Sequence, residues 1–237
     1  MDQHVDLSLN TAASASLRHI GAEREPLLQI DDLLCFPENL VDYAAREVTF
    51  QPVYGPEGGY PGIRAPAPLD YVEAVVRGVD PLLRQAFGLE RARLANAECN
   101  FSLVTLAPEA LAAAQRIPHV DTTSGLQFAF LHYLCRPDQG GTAFYRHRAT
   151  GFEALTPERA AEYVAARATE AGRETTGYIA GDTPHFEQTG AVEAAFNRLV
   201  IYRSRILHSG RIPPGAALSG DPREGRLTAN IFVTYRT

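Results

Sequence analysis

The second half of the chain gathers its apolar residues into short, aromatic-rich runs. QFAFLHYL (127–134), GTAFYR (141–146), RLVIYRSRIL (198–207) and RLTANIFVTY (226–235) have the length and composition of β-strands. LLQIDDLLCF (27–36) predicts another strand, and 93–106 alternates weakly enough to predict one more. Helix signals lie mainly in the first half. Pro37 suits the first position of a helix running to about 47. Asp70 with Glu73 fits a capping-box variant, Asp80 before Pro81 restarts a second helix, and Gly88 closes it. A short helical turn is expected over 108–115, and Thr156 before Pro157 opens a helix ending near Gly172. GPEGGYPGIRAPAP (55–68) predicts a loop of fixed turns rather than a packed element. Residues 1–25 are polar and predict an extension or a first edge strand. No repeat or low-complexity linker divides the chain, so one domain over 1–237 is expected, mainly β with flanking helices.

Composition narrows the chemistry. At 237 residues, a single domain buries roughly 70–75% of its unfolded surface and needs no disulfides. All 22 basic residues are Arg. With no Lys, Schiff-base catalysis, pyridoxal-phosphate attachment and the lysine-dependent nucleotide motifs are excluded. The net charge of −6 argues against nucleic acid as a partner. Cys35, Cys99 and Cys135 are too few and too widely spaced for a disulfide framework or a CxxC metal pair. MDQHVDLSLN lacks the features of a signal peptide, and no apolar run approaches ~18 residues. The expectation is a cytoplasmic protein without a membrane partner.

Of the seven histidines, His4, His19, His132, His147 and His185 read as structural or surface residues, whereas His119 and His208 have chemical company. In Pro118-His119-Val120-Asp121, an extended backbone projects His119 and Asp121 to the same side. His208 ends an apolar strand just before Ser209-Gly210. Two imidazoles and one carboxylate form the facial triad of non-haem Fe(II) oxygenases, leaving coordination positions for a chelating co-substrate and O₂. Arg226 and Thr228 share one face of the last strand. An inward guanidinium there pairs with a carboxylate such as the distal one of 2-oxoglutarate. Each residue also has a plain reading: a hydrogen-bonded turn for His119 and Asp121, a core imidazole for His208, and a surface ion pair with Glu224 for Arg226.

The ordered set PHVD (118–121), HYL (132–134), DQGGTAFYRH (138–147), NRLVIYRSRILHSG (197–210) and RLTANIFV (226–233) resembles the iron(II)/2-oxoglutarate dioxygenases, most of all their prolyl-4-hydroxylase-like branch. The resemblance covers about 115–235. It implies a double-stranded β-helix (a cupin-like jelly roll) over 116–237, with 27–115 as a strand–helix flank. His119, Asp121 and His208 would be the iron ligands, Arg226 would bind the C5 carboxylate of 2-oxoglutarate with Thr228 as helper, and Tyr133 falls at a co-substrate-binding tyrosine. Strand tyrosines also serve simply as packing residues. IPPGAALSGDPREG (212–225) and an inserted helical stretch over 156–190 depart from the compact pattern. The implied activity is hydroxylation of a small-molecule or peptidyl substrate, using Fe(II), 2-oxoglutarate and O₂. Residues 54–68 are the candidate lid, and a homodimer stays open. Two rivals are a cupin-type metalloenzyme that does not use 2-oxoglutarate and a non-catalytic ligand-binding domain of the same fold.

Overall fold

The computed structural model describes residues 6–173 and 175–237; His4 lies outside them. Eleven strands and three α-helices are ordered along the described chain. They are β1 (Ser14–Ile20), β2 (Glu25–Asp31), α1 (Pro37–Arg46), β3 (Gln51–Gly55), β4 (Gly58–Pro66), α2 (Leu69–Phe87), β5 (Arg93–Val104), β6 (Gln127–Tyr133), β7 (Gly141–His147), α3 (Pro157–Glu170), β8 (Phe186–Val192), β9 (Arg198–Arg203), β10 (His208–Arg211) and β11 (Leu227–Arg236). The chain is thus mainly β with a few helices. Eight strands form one sheet in the order β1-β2-β9-β6-β11-β5-β4-β3, and three form a second, β10-β7-β8. All of these pairings are antiparallel. Among the described residues, no helix is long and apolar enough to cross a membrane.

The period of two along β11 sets the layers. Leu227, Ala229, Ile231 and Val233 join the helices' apolar stripe, including Val72, Val75, Val79 and Leu83 of α2, in one core on the first face of the large sheet. On the opposite face, Leu131, Tyr133, Val200 and Tyr202 pack against Phe144 and Val192 of the small sheet. Each fully buried large apolar side chain in these layers contributes roughly 1.5–3 kcal/mol. Beyond the small sheet, Tyr145, Leu155, Ile179, Phe186 and Leu207 form a third cluster, against which Tyr163 of α3 packs. The large sheet is therefore covered by helices on one face and partly by the small sheet on the other. Its uncovered part walls a cavity.

Several expectations are corrected. The stretch 55–68 is not a loose loop: β3 and β4 form a hairpin, and β4 pairs with β5 from Gly62↔Val104 to Pro66↔Asn100. Its prolines are tolerated because Pro52 lies on the outermost strand, while Pro61 serves as an acceptor for Thr105 and Leu106 N–H. Asp80-Pro81 does not restart a helix. α2 runs through it, because the buried stripe continues from Val79 to Leu83 and Phe87 and outweighs one lost backbone bond. No capping box forms at Asp70; Pro68 is the N-cap. The strand expected over 27–36 ends at Asp31. Asp32 turns into the left-handed region (φ 57°), and Leu33 and Leu34 N–H are taken up by Asn197. The run 198–207 is split by a turn into β9 and the approach to β10. The helix opened at Pro157 ends at Glu170, close to the expected Gly172, but the inserted stretch to 190 is not helical throughout, because Phe186–Val192 is a strand on β7. Part of the polar segment 1–25 forms the edge strand β1.

Gly88 ends α2 in the left-handed conformation at φ 68°, with open space where a Cβ would stand. Gly88→Ala therefore meets only the backbone penalty. It is expected to lower unfolding free energy by about 1 kcal/mol in urea titrations, with an unchanged m-value.

Candidate metal centre

The site is assembled by backbone pairing. His119 and His208 face each other in an isolated antiparallel bridge, each N–H donating to the other's carbonyl at 2.9 Å. Directly opposed residues of such a pair project their side chains to the same side, and the two rings lie 4.4 Å apart between centroids. Asp121, two residues on, falls on that side as well, and its N–H donates to Ser204 O at 2.8 Å. His119 Nε2 is 3.8 Å from Asp121 Oδ1, and His208 Nε2 is 3.8 Å from Asp121 Oδ2. One donor atom from each of the three residues lies within 4.8 Å of the others.

Exposure differs across the set. The side chain of His208 is 7% exposed and that of Asp121 18%, whereas that of His119 is 55% exposed. The site therefore opens to solvent beside His119. His208 Nδ1 donates to Ile206 O at 2.8 Å; a carbonyl only accepts, so the ring's proton is fixed on Nδ1 and Nε2 keeps its lone pair for a ligand. Tyr202 packs edge-on against the same ring at 4.9 Å. Burial pushes the His208 imidazolium down to about 4, opposed by that carbonyl, so the ring is neutral near pH 7. Burial pushes the Asp121 carboxyl up, opposed by His119 and Arg64.

The donor set fits a divalent ion of intermediate softness such as Fe(II). Adjacent ligand atoms about 2.1 Å from one ion stand roughly 3 Å apart, so the two nitrogen–oxygen spacings of 3.8 Å, which end on different oxygens of Asp121, would shorten when an ion is held.

The three residues line a cavity of about 360 Å³ together with Arg226. Arg226 is 4% exposed, and its Nη2 donates to Gly141 O at 2.9 Å. Its Nε has no partner, and among the described residues no carboxylate pairs with it. The alternative reading of Arg226 as a surface pair with Glu224 does not hold, since the side chain is buried. Gly140, at φ 86°, brings β7 against Arg211, where a Cβ would stand 2.0 Å from a carbonyl, and so sets the Gly141 acceptor. Tyr133 does not line the cavity. Its ring lies under the Arg226 guanidinium at 5.6 Å, and its hydroxyl is shared with Thr142 Oγ1 at 2.6 Å. Thr142 itself reaches the cavity. Thr228 is fully buried one pleat from Arg226, with Oγ1 unpartnered.

Other lining residues escaped the sequence reading. Asn230 continues the Arg226 face of β11, and its Oδ1 is buried without a partner; Phe232, six positions after Arg226 and already matched by the dioxygenase-like pattern, lies on the same face. The period that linked Arg226 to Thr228 reaches Asn230 as well. Tyr60 and Arg64 come from β4, and Tyr178 from the segment between α3 and β8. No local signal marks these, because the long-range pairing of β4 with β5 is what places the first two. His132, His147 and His185 are structural. His132 bridges Tyr71 and Asn197, while His147 and His185 share Glu170.

Among solved structures, the chain is similar to a novel N-substituted L-amino acid dioxygenase from Burkholderia ambifaria AMMD (10% identity, 94% of each chain covered, TM-score 0.39). It is also similar to EctD from S. alaskensis with bound Fe (13% identity, 99% of this chain and 88% of that one, TM-score 0.38). No curated protein matches it. Over residues 11–233 the sequence fits the profile of DUF6445, described as a family of unknown function, and the chain belongs to that family.

Proposed function

We propose that the chain is an Fe(II)- and 2-oxoglutarate-dependent oxygenase of double-stranded β-helix type that hydroxylates a small molecule. The observation that carries this reading is one cavity holding both the His119–Asp121–His208 set and a buried guanidinium, Arg226, without a carboxylate partner. A buried unpaired charge costs several kcal/mol, so its retention beside a metal-type donor set points to an anionic ligand. When bound, iron with 2-oxoglutarate and O₂ supplies the oxidising chemistry.

The protein's own residues supply geometry. His119, Asp121 and His208 offer three donors from one side. Arg226 receives the distal carboxylate of the co-substrate, with Thr228 beside it. Tyr133 lies under that guanidinium and fixes Thr142 at the cavity wall. Ile117, Leu131, Ile212 and Phe232 exclude water from the reacting end. A volume near the lower end of the range for ligand sites suits a small substrate better than a peptide. In this reading the protein works in the cytoplasm and engages neither nucleic acid nor membrane.

Anaerobic thermal unfolding with Mn(II), with and without 2-oxoglutarate, tests the proposal. Each ligand at 100 times its dissociation constant adds about 2.7 kcal/mol, or roughly 5–10 °C at this chain length. Arg226→Leu is expected to keep the Mn(II) shift and lose the 2-oxoglutarate increment. A 2-oxoglutarate increment that survives in Arg226→Leu would refute the assignment. A native protein that responds to Mn(II) alone would favour the metalloenzyme that does not use 2-oxoglutarate.

A further inference from the structure

The cavity contains a second guanidinium that the co-substrate does not account for. Arg64 stands on β4, and only its Nε is used, donating to Ser102 Oγ at 3.1 Å. Its terminal nitrogens have no partner among the described residues, and no carboxylate pairs with it there. The group lies over the Tyr60 ring at 4.4 Å, which holds its plane. Both residues line the cavity wall with the metal-type donors, and the Arg64 charge acts on His119 and Asp121. The two arginines are held differently. Arg226 is buried against Tyr133 and Gly141, whereas Arg64 is only partly buried.

We infer that Arg64, stacked on Tyr60, is the specificity-determining residue for the primary substrate, and that this substrate is a small carboxylic acid with an apolar body. A guanidinium held in one plane with two free terminal N–H₂ groups matches a carboxylate as a two-pronged partner. The surrounding wall supplies the rest: Val104, Ile117, Leu131 and Phe232 offer apolar surface to the remainder of such an acid. The inference rests on the oxygenase reading only in assigning Arg226 to the co-substrate.

The test uses the native chain loaded anaerobically with Mn(II) and saturating 2-oxoglutarate. It is titrated with acids and their primary amides as matched pairs: hexanoate and hexanamide, phenylacetate and phenylacetamide, 3-phenylpropionate and its amide. Binding is read by thermal shift and calorimetry. At least one acid is expected to bind about 10-fold or more tightly than its amide. Arg64→Leu is expected to abolish that preference while retaining the Mn(II) and 2-oxoglutarate shifts. Arg64→Lys, which keeps the charge, is expected to retain part of it. Acids and amides binding alike to the native protein would overturn the inference, as would a preference that persists in Arg64→Leu. A 2-oxoglutarate shift lost in Arg64→Leu and kept in Arg226→Leu would show the arginines assigned the wrong way round, and would overturn it too. The comparison is repeated without 2-oxoglutarate. A native protein indifferent to 2-oxoglutarate then sinks the oxygenase reading alone, while an Arg64-dependent preference for acids still supports the carboxylate subsite.

Discussion

A His119→Ala variant is expected to fold as the native protein does and to bind Mn(II) at least about 100-fold more weakly. The folding half follows from exposure. The His119 side chain is half in solvent, and its backbone bridge to His208 does not need the imidazole. The binding half follows from donor count, because loss of even an outer-shell partner costs 10–100-fold in metal affinity, and loss of a donor costs at least as much. At a Mn(II) concentration 100 times the native dissociation constant, the native protein gains about 2.7 kcal/mol of stability. A 100-fold weaker variant gains only about 0.4 kcal/mol under the same conditions. Paired urea titrations with and without Mn(II) read this difference directly. His208→Ala is expected to lose the metal increment as well. It also removes a buried ring packed on Tyr202, so it lowers the stability of the metal-free protein. Equal Mn(II) increments in the native protein and His119→Ala would mean the cation sits elsewhere.

The second large effect is a loss of stability in mild acid to which a residue far from the metal centre contributes. His132 is fully buried between the helical layer and the sheet. Its Nδ1 accepts from Tyr71 OH at 2.9 Å, and its Nε2 donates to Asn197 Oδ1 at 3.2 Å. Burial pushes it down to about 4, opposed by the Asn197 bond, whereas in the unfolded chain it titrates near 6.5. The unfolded state therefore binds a proton that the native state refuses. Stability is complete above about pH 6.5 and falls as pH drops through the window to about 4. The expected loss is about 3 kcal/mol at about 1.4 kcal/mol per pH unit. His132→Gln is expected to keep a donor and an acceptor without the titration. The slope of unfolding free energy against pH between 6.5 and 4 should flatten by about one proton. An unchanged slope would show that His132 is not the group responsible.

The parts of the site that reside in one short stretch were legible in the sequence. His119 and Asp121 lie two apart on an extended segment, and the period of two made their convergence readable. The pairing of that segment with His208 was not readable from the spacing alone. It came from an ordered set of motifs, and the structure supplies the bridge that brings them together. For Arg226 the period of two along the last strand left an inward group and a surface ion pair both open, and it is the packed structure that buries it. The role of Tyr133 was less accessible: a strand tyrosine looks the same whether it lines a cavity or, as here, lies behind Arg226 and bonds Thr142. Arg64 and Tyr60 were hidden in a stretch whose glycines and prolines read as turns. The close approach of β4 to β5 is what makes Gly62 useful there, since a Cβ at that position would stand 1.9 Å from Leu103 O. Pro81 misled in the opposite direction, because a local helix breaker was outweighed by a buried stripe that only the packed helix reveals.

The most direct test of the metal centre is a crystal structure of the protein grown anaerobically with Mn(II), with data collected at the manganese edge. One anomalous peak per chain is expected, about 2.1–2.3 Å from an imidazole nitrogen of His119, a carboxylate oxygen of Asp121 and Nε2 of His208. No peak there at full Mn(II) loading, or a manganese ion held by other residues, would contradict that assignment of the metal ligands.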